Sequence, residues 1–258
     1  MSLTLSHYVA LSRRSIVNVT RQPVQIVPAL VFPLLFMSMS SAALQESTNL
    51  PGFPASSFMQ FLFATTVVQG ALFGSIAAGE DMATDIEGGF FERLISTPVT
   101  RTSILVGRVA GAMTVAFFQA WLFFGIVSLF GLELEGGIAG MLLLAIVASI
   151  LAGGIGALTV SFALRTGSSE AVQGSFPLMF SLMFISSAFF PRELMEGWFH
   201  DVATINPFSH MIEGLRAQVI SGLDFGEITK SLAVAGAIFA GGIAASAVAL
   251  RKRLELGS

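Results

Sequence analysis

The amino-acid sequence predicts an all-α integral membrane protein, a single transmembrane domain over residues 1–258 with six membrane-spanning helices. Hydrophobic residues make up 54% of the chain and charged residues only 11%, which is less than half of the charged share in a soluble domain. Six apolar runs are long enough to cross a hydrocarbon core of about 30 Å, and none of them contains Asp, Glu, Lys, Arg or His. Because these runs do not alternate between apolar and polar residues, they favour helices over barrel strands.

The segment before the first run, residues 1–23, is expected to form an amphipathic helix on the inner membrane surface. Mostly apolar residues recur in it at helical spacing, and polar or basic residues occupy the other positions. The first set is Leu5, Tyr8, Val9, Ser12, Ile16 and Val19, and the second is His7, Arg13, Arg14, Asn18 and Arg21. An ordinary solvated leader remains the alternative.

The six runs define the expected spans and their orientation. They are residues 24–44, 58–79, 109–130, 138–164, 171–191 and 231–250. A chain that starts in the cytoplasm places ten of its thirteen basic residues on the inner side of these spans. By the positive-inside rule, both termini are then expected to be cytoplasmic.

The stretch GEDMATDIEGGFFERLISTPVTRTSILVGR, residues 79–108, joins the second and third spans on the inner side. Residues 84–87, Thr-Asp-Ile-Glu, have the form of a capping box and predict a helix start, where acids are favoured. After Gly88 and Gly89 a short helix is expected. Pro98 ends it, because the proline ring clashes with the preceding turn.

This short inner helix carries an apolar stripe and a charge pair on its flank. The stripe is Phe90, Phe91, Leu94 and Ile95, and the pair is Glu92 and Arg93. One interpretation lays the helix against lipid headgroups with its phenylalanines buried. The other docks its tip into a groove on a soluble partner. The periodicity alone does not choose between them.

The second polar segment, residues 192–230, lies outside the membrane after Pro191 and is expected to form short helices before the last span. Asn206-Pro207 predicts a turn, and the helix after it is amphipathic, so it should re-enter or lie in the outer interface. Its stripe is Phe208, Met211, Ile212, Leu215 and Val219, and its polar neighbours are Glu213, Arg216 and Gln218. His200, Asp201 and His210 match no metal-ligand spacing, and no metal site is expected.

The chain offers no energy source of its own for transport. Ion-coupled carriers need ionisable residues within the membrane, and the six spans contain none. A phosphate-binding loop needs a lysine in a glycine-rich setting, and neither Lys230 nor Lys252 has one. If the protein drives transport, another subunit must supply the energy.

The chain resembles the type-2 ABC exporter permeases, including the daunorubicin-resistance type. The resemblance covers essentially the whole chain and is carried by residues 79–108 and by SSAFFPRELMEGWFHDVATINPFSHMIEGLR, residues 186–216. It implies a plasma-membrane location and a separate ATP-binding subunit that holds ATP and Mg, with no cofactor on this chain. It also implies a second permease, either a copy or a paralogue. Membrane lipids and a small hydrophobic substrate are further expected partners, and nucleic acid is not.

The resemblance also implies three groups of site residues, none of them catalytic. The inner helix becomes a coupling helix that docks into the ATPase through Phe90, Phe91, Glu92, Arg93, Leu94 and Pro98. The substrate path is assigned to Gln69, Phe73, Phe176, Met179, Phe180 and Met183. The extracellular gate is assigned to Pro191, Asn206, Pro207 and Phe208. Ordinary packing or lipid contact remains the alternative for the path residues.

The expected function is export of a hydrophobic or amphipathic molecule, such as a drug or lipid, because an uncharged path of Phe and Met suits such a substrate. A permease for polysaccharide or glycolipid export is one alternative. A membrane-embedded lipid-modifying enzyme is another, with Glu80, Asp81 and Asp85 as the only inner acidic cluster. The uncharged spans disfavour a channel or an ion-coupled carrier.

Overall fold

The structure is a computed structural model that describes residues 3–256, so residues 1–2 and 257–258 of the predicted domain lie outside the described residues. Over the described range the chain forms eleven α-helices and two short 3₁₀ turns, without a β-strand. The helices are α1 (Leu3–Thr20), α2 (Pro23–Leu44), α3 (Phe58–Glu87), α4 (Phe90–Ile95), α5 (Arg101–Ser128), α6 (Gly137–Thr166), α7 (Ser169–Gly174), α8 (Phe176–Phe184), α9 (Gly197–Ile205), α10 (Pro207–Ile220) and α11 (Phe225–Leu256). The 3₁₀ turns are Gln45–Asn49 and Arg192–Leu194.

Five of the described helices, α2, α3, α5, α6 and α11, are long and apolar enough to cross a membrane. The central helix is α3, which packs against α2, α5, α6 and α10. Small residues bring α6 and α11 close together, as expected for helices in a bilayer. A Cβ atom on Gly154 of α6 would lie 2.7 Å from the backbone nitrogen of Phe239 on α11.

The predicted fifth span, residues 171–191, is not one helix. The chain forms α7 and α8 and then becomes irregular after Phe184. Pro177 lies in the first turn of α8, where its missing N–H and its ring prevent α7 from continuing. Helix α8 has nine residues, about 14 Å of length, which is less than half of a hydrocarbon core of about 30 Å. The expectation of six uninterrupted spans is therefore corrected to five long helices and one discontinuous segment.

The long helix α2 keeps two prolines, and a neighbouring helix compensates for one of them. Pro33 lies inside α2 and has no N–H to donate to the carbonyl of Ala29, four residues earlier. The side chain of Gln119 on α5 donates to that carbonyl, at 2.6 Å. A buried amide therefore replaces the missing helical hydrogen bond.

The predicted helix start at residues 84–87 is wrong. Helix α3 runs without a break to Glu87 and ends at Gly88 and Gly89. Gly89 has a φ of 68°, the left-handed conformation in which glycine is favoured at a helix end. Asp81 and Asp85 therefore lie in the last turns of α3, where the helix dipole disfavours acids. Nearby cations and donors must compensate for that position.

Both ends of the described chain meet α4 at one end of the bundle. The guanidinium of Arg14 on α1 lies 4.0 Å from the ring centroid of Phe90, and that of Arg253 on α11 lies 5.7 Å from the ring of Phe91. We call this the α4 end. The opposite end, which contains α9 and α10, is called the α10 end.

Helix α1 packs along the first turns of α5, so the face it presents to the protein differs from the predicted stripe. The Tyr8 hydroxyl lies 2.7 Å from Oγ1 of Thr102, and a Cβ on Gly107 would lie 2.5 Å from Cβ of Leu11. Ser15 and Val19 are buried on this face, whereas Val9 is 52% exposed. Leu5 lies outside the residues whose side chains are described. Gly107 and Gly111 let α1 approach α5 closely, and contact of the exposed stripe residue Val9 with the membrane surface stays a prediction.

Candidate functional site

Seven phenylalanine rings from three helices and the chain after α8 form a continuous cluster, which we call the phenylalanine cluster. Its members are Phe32, Phe36, Phe73, Phe176, Phe180, Phe184 and Phe189, with neighbouring ring centroids 4.8 to 6.4 Å apart. These distances are in the range of favourable aromatic pairs. Phe32 and Phe184 are 42% and 41% exposed, so the cluster reaches the surface of the chain.

The structure brings three of the six predicted path residues into direct contact. Phe73 lies 4.8 Å from Phe176 and 5.6 Å from Phe180, between ring centroids. Of the others, Met179 is partly buried, whereas Gln69 and Met183 are buried. Nε2 of Gln69 has no hydrogen-bond partner among the described residues. Three aromatic residues thus form a common surface, and the role of the set as a path stays a prediction.

The irregular backbone after α8, residues 185–191, is called the exit segment, and side chains from the α10 end satisfy its polar groups. Nδ2 of Asn206 donates to the carbonyls of Leu182 and Ile185, both at 2.7 Å. The backbone N–H of Ser187 donates to Oγ of Ser209 at 3.0 Å. A helix that ends early leaves carbonyls without intrahelical partners, and Asn206 supplies donors to two of them.

Arg216 on α10 is the main donor to the exit segment. It is 5% exposed. Its Nη2 donates to the carbonyls of Ser187 and Ala188 at 2.9 and 3.0 Å, and its Nε donates to the carbonyl of Phe61 on α3 at 3.0 Å. The guanidinium also lies 3.6 Å from the ring centroid of Phe61, a cation–π contact. Arg216 therefore joins α10, α3 and the exit segment at one point.

Burial lowers the pKa of Arg216 to about 9, and the negative charge of Glu213 opposes this effect. The guanidinium thus stays protonated at neutral pH although it is buried. No carboxylate among the described residues lies within 4 Å of it. Main-chain carbonyl dipoles and an aromatic face stabilise the charge instead.

The predicted gate residues lie around this junction with different exposures. Asn206, Phe208 and Pro191 are buried, and Pro207 is exposed. Oδ1 of Asn206 accepts from the N–H of Phe208 at 2.9 Å, so Asn206 caps α10 as well as the end of α8. The predicted stripe of α10 is buried, but so are Arg216 and Gln218, which corrects the expectation that they form a polar outer face.

The predicted inner helix is present as α4, Phe90–Ile95, between the two glycines and Pro98. Phe91 is only 1% exposed and packs into the hydrophobic core of the α4 end. Its side chain is therefore not available for direct contact with a partner. The other residues of the predicted set, together with Ile95, form the free surface of α4 and its end. Glu92, Arg93 and Pro98 are exposed, Phe90 and Leu94 are partly exposed, and Ile95 is 36% exposed.

Two carboxylates near the end of α3 connect this helix to α1 and α5. Asp85 accepts two hydrogen bonds from Arg14 at 2.9 and 3.1 Å and also pairs with Arg108, whose side chain is 7% exposed. Oδ1 of Asp81 accepts from Asn18 at 2.7 Å. These donors compensate for acids at the C-terminal end of a helix.

Sequence reasoning missed Arg216 and Asp85 as junction residues, although each left a signal. Arg216 follows Phe208 and Ile212 at intervals of four, so it lies on the apolar face of α10 rather than on a polar one. Asp85 precedes a Gly-Gly pair, which is typical of a helix end. A charge on an apolar stripe and an acid at a helix C-terminus both indicate a buried partner.

Comparison with known proteins places these features in a family. The model of the ABC-2 family transporter proteins matches residues 45–248. The daunorubicin resistance ABC transporter permease protein DrrB1 of Streptomyces coeruleorubidus is 24% identical over 247 residues, which cover 93% of this chain and 83% of that protein. The putative transport permease ycf38 of Porphyra purpurea is 26% identical, over 80% of this chain and 72% of its own length.

A third relative is the probable doxorubicin resistance ABC transporter permease protein DrrC of Mycobacterium tuberculosis. It is 22% identical over 82% of this chain and 76% of its own length. The family model spans well over half of the chain and includes α3, α4 and the junction at Arg216. The chain is therefore a transmembrane permease that belongs to the ABC-2 family of transporter proteins.

Proposed function

We propose that this chain is the permease subunit of an ATP-driven exporter of hydrophobic or amphipathic molecules, and that a separate ATP-binding subunit docks at α4. The observation that carries the proposal is the phenylalanine cluster beside the discontinuous helix α8. Broken helices mark substrate sites in membrane transporters. This one presents apolar rings without a charged side chain among them.

The composition of the cluster supports an apolar or aromatic substrate. Its exposed rings, Phe32 and Phe184, form a surface on which a planar or aliphatic molecule can stack. Met179 is partly buried and packs near the same core, and methionine adapts to molecules of varied shape. The named relatives for daunorubicin and doxorubicin resistance support a drug-like substrate class. In the working unit, the same surface of a second permease forms the opposite wall.

The α4 end is suited to transmit force because α4 is fixed on one side and free on the other. Phe91 anchors it in the core, and the partner subunit contacts the exposed surface that contains Arg93, Ile95 and Pro98. A push on this surface reaches α3 directly, since only Gly88 and Gly89 separate the two helices. This end faces the cytoplasm, with both termini.

The test is co-purification with the ATP-binding subunit encoded beside this chain, followed by ATP hydrolysis with and without hydrophobic drugs or lipids. Arg93→Glu and Ile95→Asp change exposed residues of α4, so we expect loss of the complex with normal membrane insertion. Arg165→Glu is the matched control, because Arg165 is an exposed arginine in the last turn of α6 at the same end. It should assemble normally.

Two outcomes would overturn parts of the proposal. Normal assembly and drug-stimulated hydrolysis of Arg93→Glu and Ile95→Asp would contradict docking at α4. A stable complex that responds to polysaccharide or glycolipid but not to drugs or simple lipids would contradict the substrate class. Failure to bind any ATP-binding subunit would contradict the exporter assignment as a whole.

A further inference from the structure

The exit segment is held to α10 and α3 by a set of polar contacts. Arg216 holds the carbonyls of Ser187 and Ala188, and Oγ1 of Thr65 on α3 donates to Ala188 at 2.7 Å. Immediately after the segment, Nη2 of Arg192 lies 2.8 Å from Oε2 of Glu213. The segment is thus fastened both at its middle and just beyond its end.

We propose that Arg216 is a latch that keeps the outer end of the path closed, and that its guanidinium transfers from the exit segment to Glu213 when the path opens. In this structure, Arg216 donates both to the carbonyls of Ser187 and Ala188 and to the carbonyl of Phe61 on α3, and so joins the exit segment to α3. This inference rests on the proposed export function. It adds a positioning residue, since Arg216 acts on the main chain of the exit segment and not on the substrate.

The closed arrangement depends on a group that makes several bonds at once. The planar guanidinium presents donors in a fixed fork, which is why one side chain reaches acceptors from two separate parts of the chain. Because the acceptors are neutral carbonyls rather than a carboxylate, they can exchange this donor for water when the path opens. The charged guanidinium, in contrast, remains partly buried, and a buried charge without an acceptor costs free energy. It therefore needs another acceptor.

Glu213 supplies such an acceptor. It lies three residues before Arg216 on α10, and side chains at this spacing are neighbours on a helix surface. Its Oε2 is occupied by Arg192, whereas its Oε1 is buried and has no hydrogen-bond partner among the described residues. A buried acceptor without a partner is unfavourable. In the open arrangement that we propose, Oε1 of Glu213 accepts a hydrogen bond from Arg216.

The absence of cysteine from the 258 residues provides a direct test. Ser187 is 0% exposed, so a Ser187→Cys variant should react with a membrane-impermeant maleimide only when the exit segment moves. The labelling rate is measured on the purified permease alone in lipid nanodiscs. Arg216→Lys, Thr65→Val and Arg251→Lys are each added to this background. Glu213→Gln is compared with its parent in a chain that also carries Arg192→Gln, so that the pair between Arg192 and Glu213 is absent from both.

The latch predicts a different rate for each variant. Arg216→Lys keeps the charge but loses the fork, so labelling should become about tenfold faster. Thr65→Val removes one bond to Ala188 at nearly constant volume and should give about a threefold increase. In the Arg192→Gln background, adding Glu213→Gln should leave the rate equal or make it slower, because the open arrangement loses its charged acceptor. Arg251→Lys, at an exposed position, should leave the rate unchanged.

A second reporter separates a latch from general loosening. Ser103 is 0% exposed at the opposite end of the bundle, and a cysteine there should be insensitive to Arg216→Lys. Equal acceleration at both reporters, or no acceleration with either Arg216→Lys or Thr65→Val, would overturn the latch. Faster labelling on adding Glu213→Gln to the Arg192→Gln chain would overturn the role of Glu213. A chain that binds no ATP-binding subunit contradicts the proposed function without changing these rates.

Discussion

The two ends of the bundle each bury an arginine, but they stabilise it in opposite ways. At the α4 end, Arg108 is paired with the carboxylate of Asp85, which Arg14 also contacts. At the α10 end, Arg216 is held by three main-chain carbonyls and the ring of Phe61. The carboxylate three residues before Arg216 on α10, that of Glu213, is paired with Arg192 instead.

The difference follows from the backbone around each arginine. Asp85 and Arg108 lie within helices α3 and α5, where most carbonyls accept intrahelical hydrogen bonds, and Arg108 pairs with a carboxylate instead. The chain after α8 is irregular, and its free carbonyls can stabilise a cation directly. A buried arginine that is not paired with a carboxylate thus indicates nearby main-chain carbonyls that lack the hydrogen bonds of a regular helix.

The largest expected effect is that of Arg216→Ala. This change removes the arginine donor from the carbonyls of Phe61, Ser187 and Ala188, of which only Ala188 keeps a side-chain donor, Thr65. It also opens a void against the Phe61 ring. We expect the free energy of unfolding to fall by about 4 kcal/mol, and the temperature of thermal aggregation of the purified protein to fall by about 10 °C. Arg251→Ala, at an exposed site, is the control. Equal thermal stability of Arg216→Ala and Arg251→Ala would mean that the main-chain contacts of Arg216 do not stabilise the α10 end.

The next effect tests the acid at the other end. Asp85→Asn keeps the shape of the side chain but leaves Arg108, 7% exposed, without a negative charge, which should cost about 2–3 kcal/mol. Adding Arg14→Gln should cost little more, because the side chain of Arg14 is 41% exposed and has already lost its partner. Thermal unfolding of the two single variants and the double variant measures this. Additive losses would show that the three residues do not form one network.

The sequence was sufficient for features that local chemistry controls and insufficient for those set by long-range contacts. Apolar runs without charges predicted the five long helices, and Gly88-Gly89 with Pro98 predicted α4. The burial of Phe91 was not predictable, because periodicity shows a stripe on a short helix but not whether lipid, a partner or the same chain covers it. The same limit applied to Arg216, whose acceptors lie 28 to 155 residues away.

A smaller effect is expected midway between the ends, where α2 contains Pro33. Gln119→Leu removes the donor to the carbonyl of Ala29 and should lower the free energy of unfolding by about 1 kcal/mol. Pro33→Ala restores a helical N–H for this carbonyl, so in that background Gln119→Leu should have a smaller effect. A thermal-unfolding double-mutant cycle checks the coupling. Full additivity would mean that the side chain of Gln119 does not replace the missing helical bond.

The smallest effect on stability is expected for Glu92→Gln, and it separates the anchor of α4 from its free surface. Glu92 lies 4.0 Å from Arg253, and its side chain is 55% exposed. Pairs at such exposure contribute little, so the unfolding temperature should change by less than about 1 °C.

If α4 is the docking site, the same variant should weaken binding of the ATP-binding subunit, measured by titration of the purified partner. Glu133→Gln, exposed in the loop before α6, is the matched control, and equal affinities for the two variants would place Glu92 outside the contact surface. A loss of stability comparable to that of Asp85→Asn would instead mean that α4 depends on its surface charges, and the α4 end would then contain no surface free for a partner.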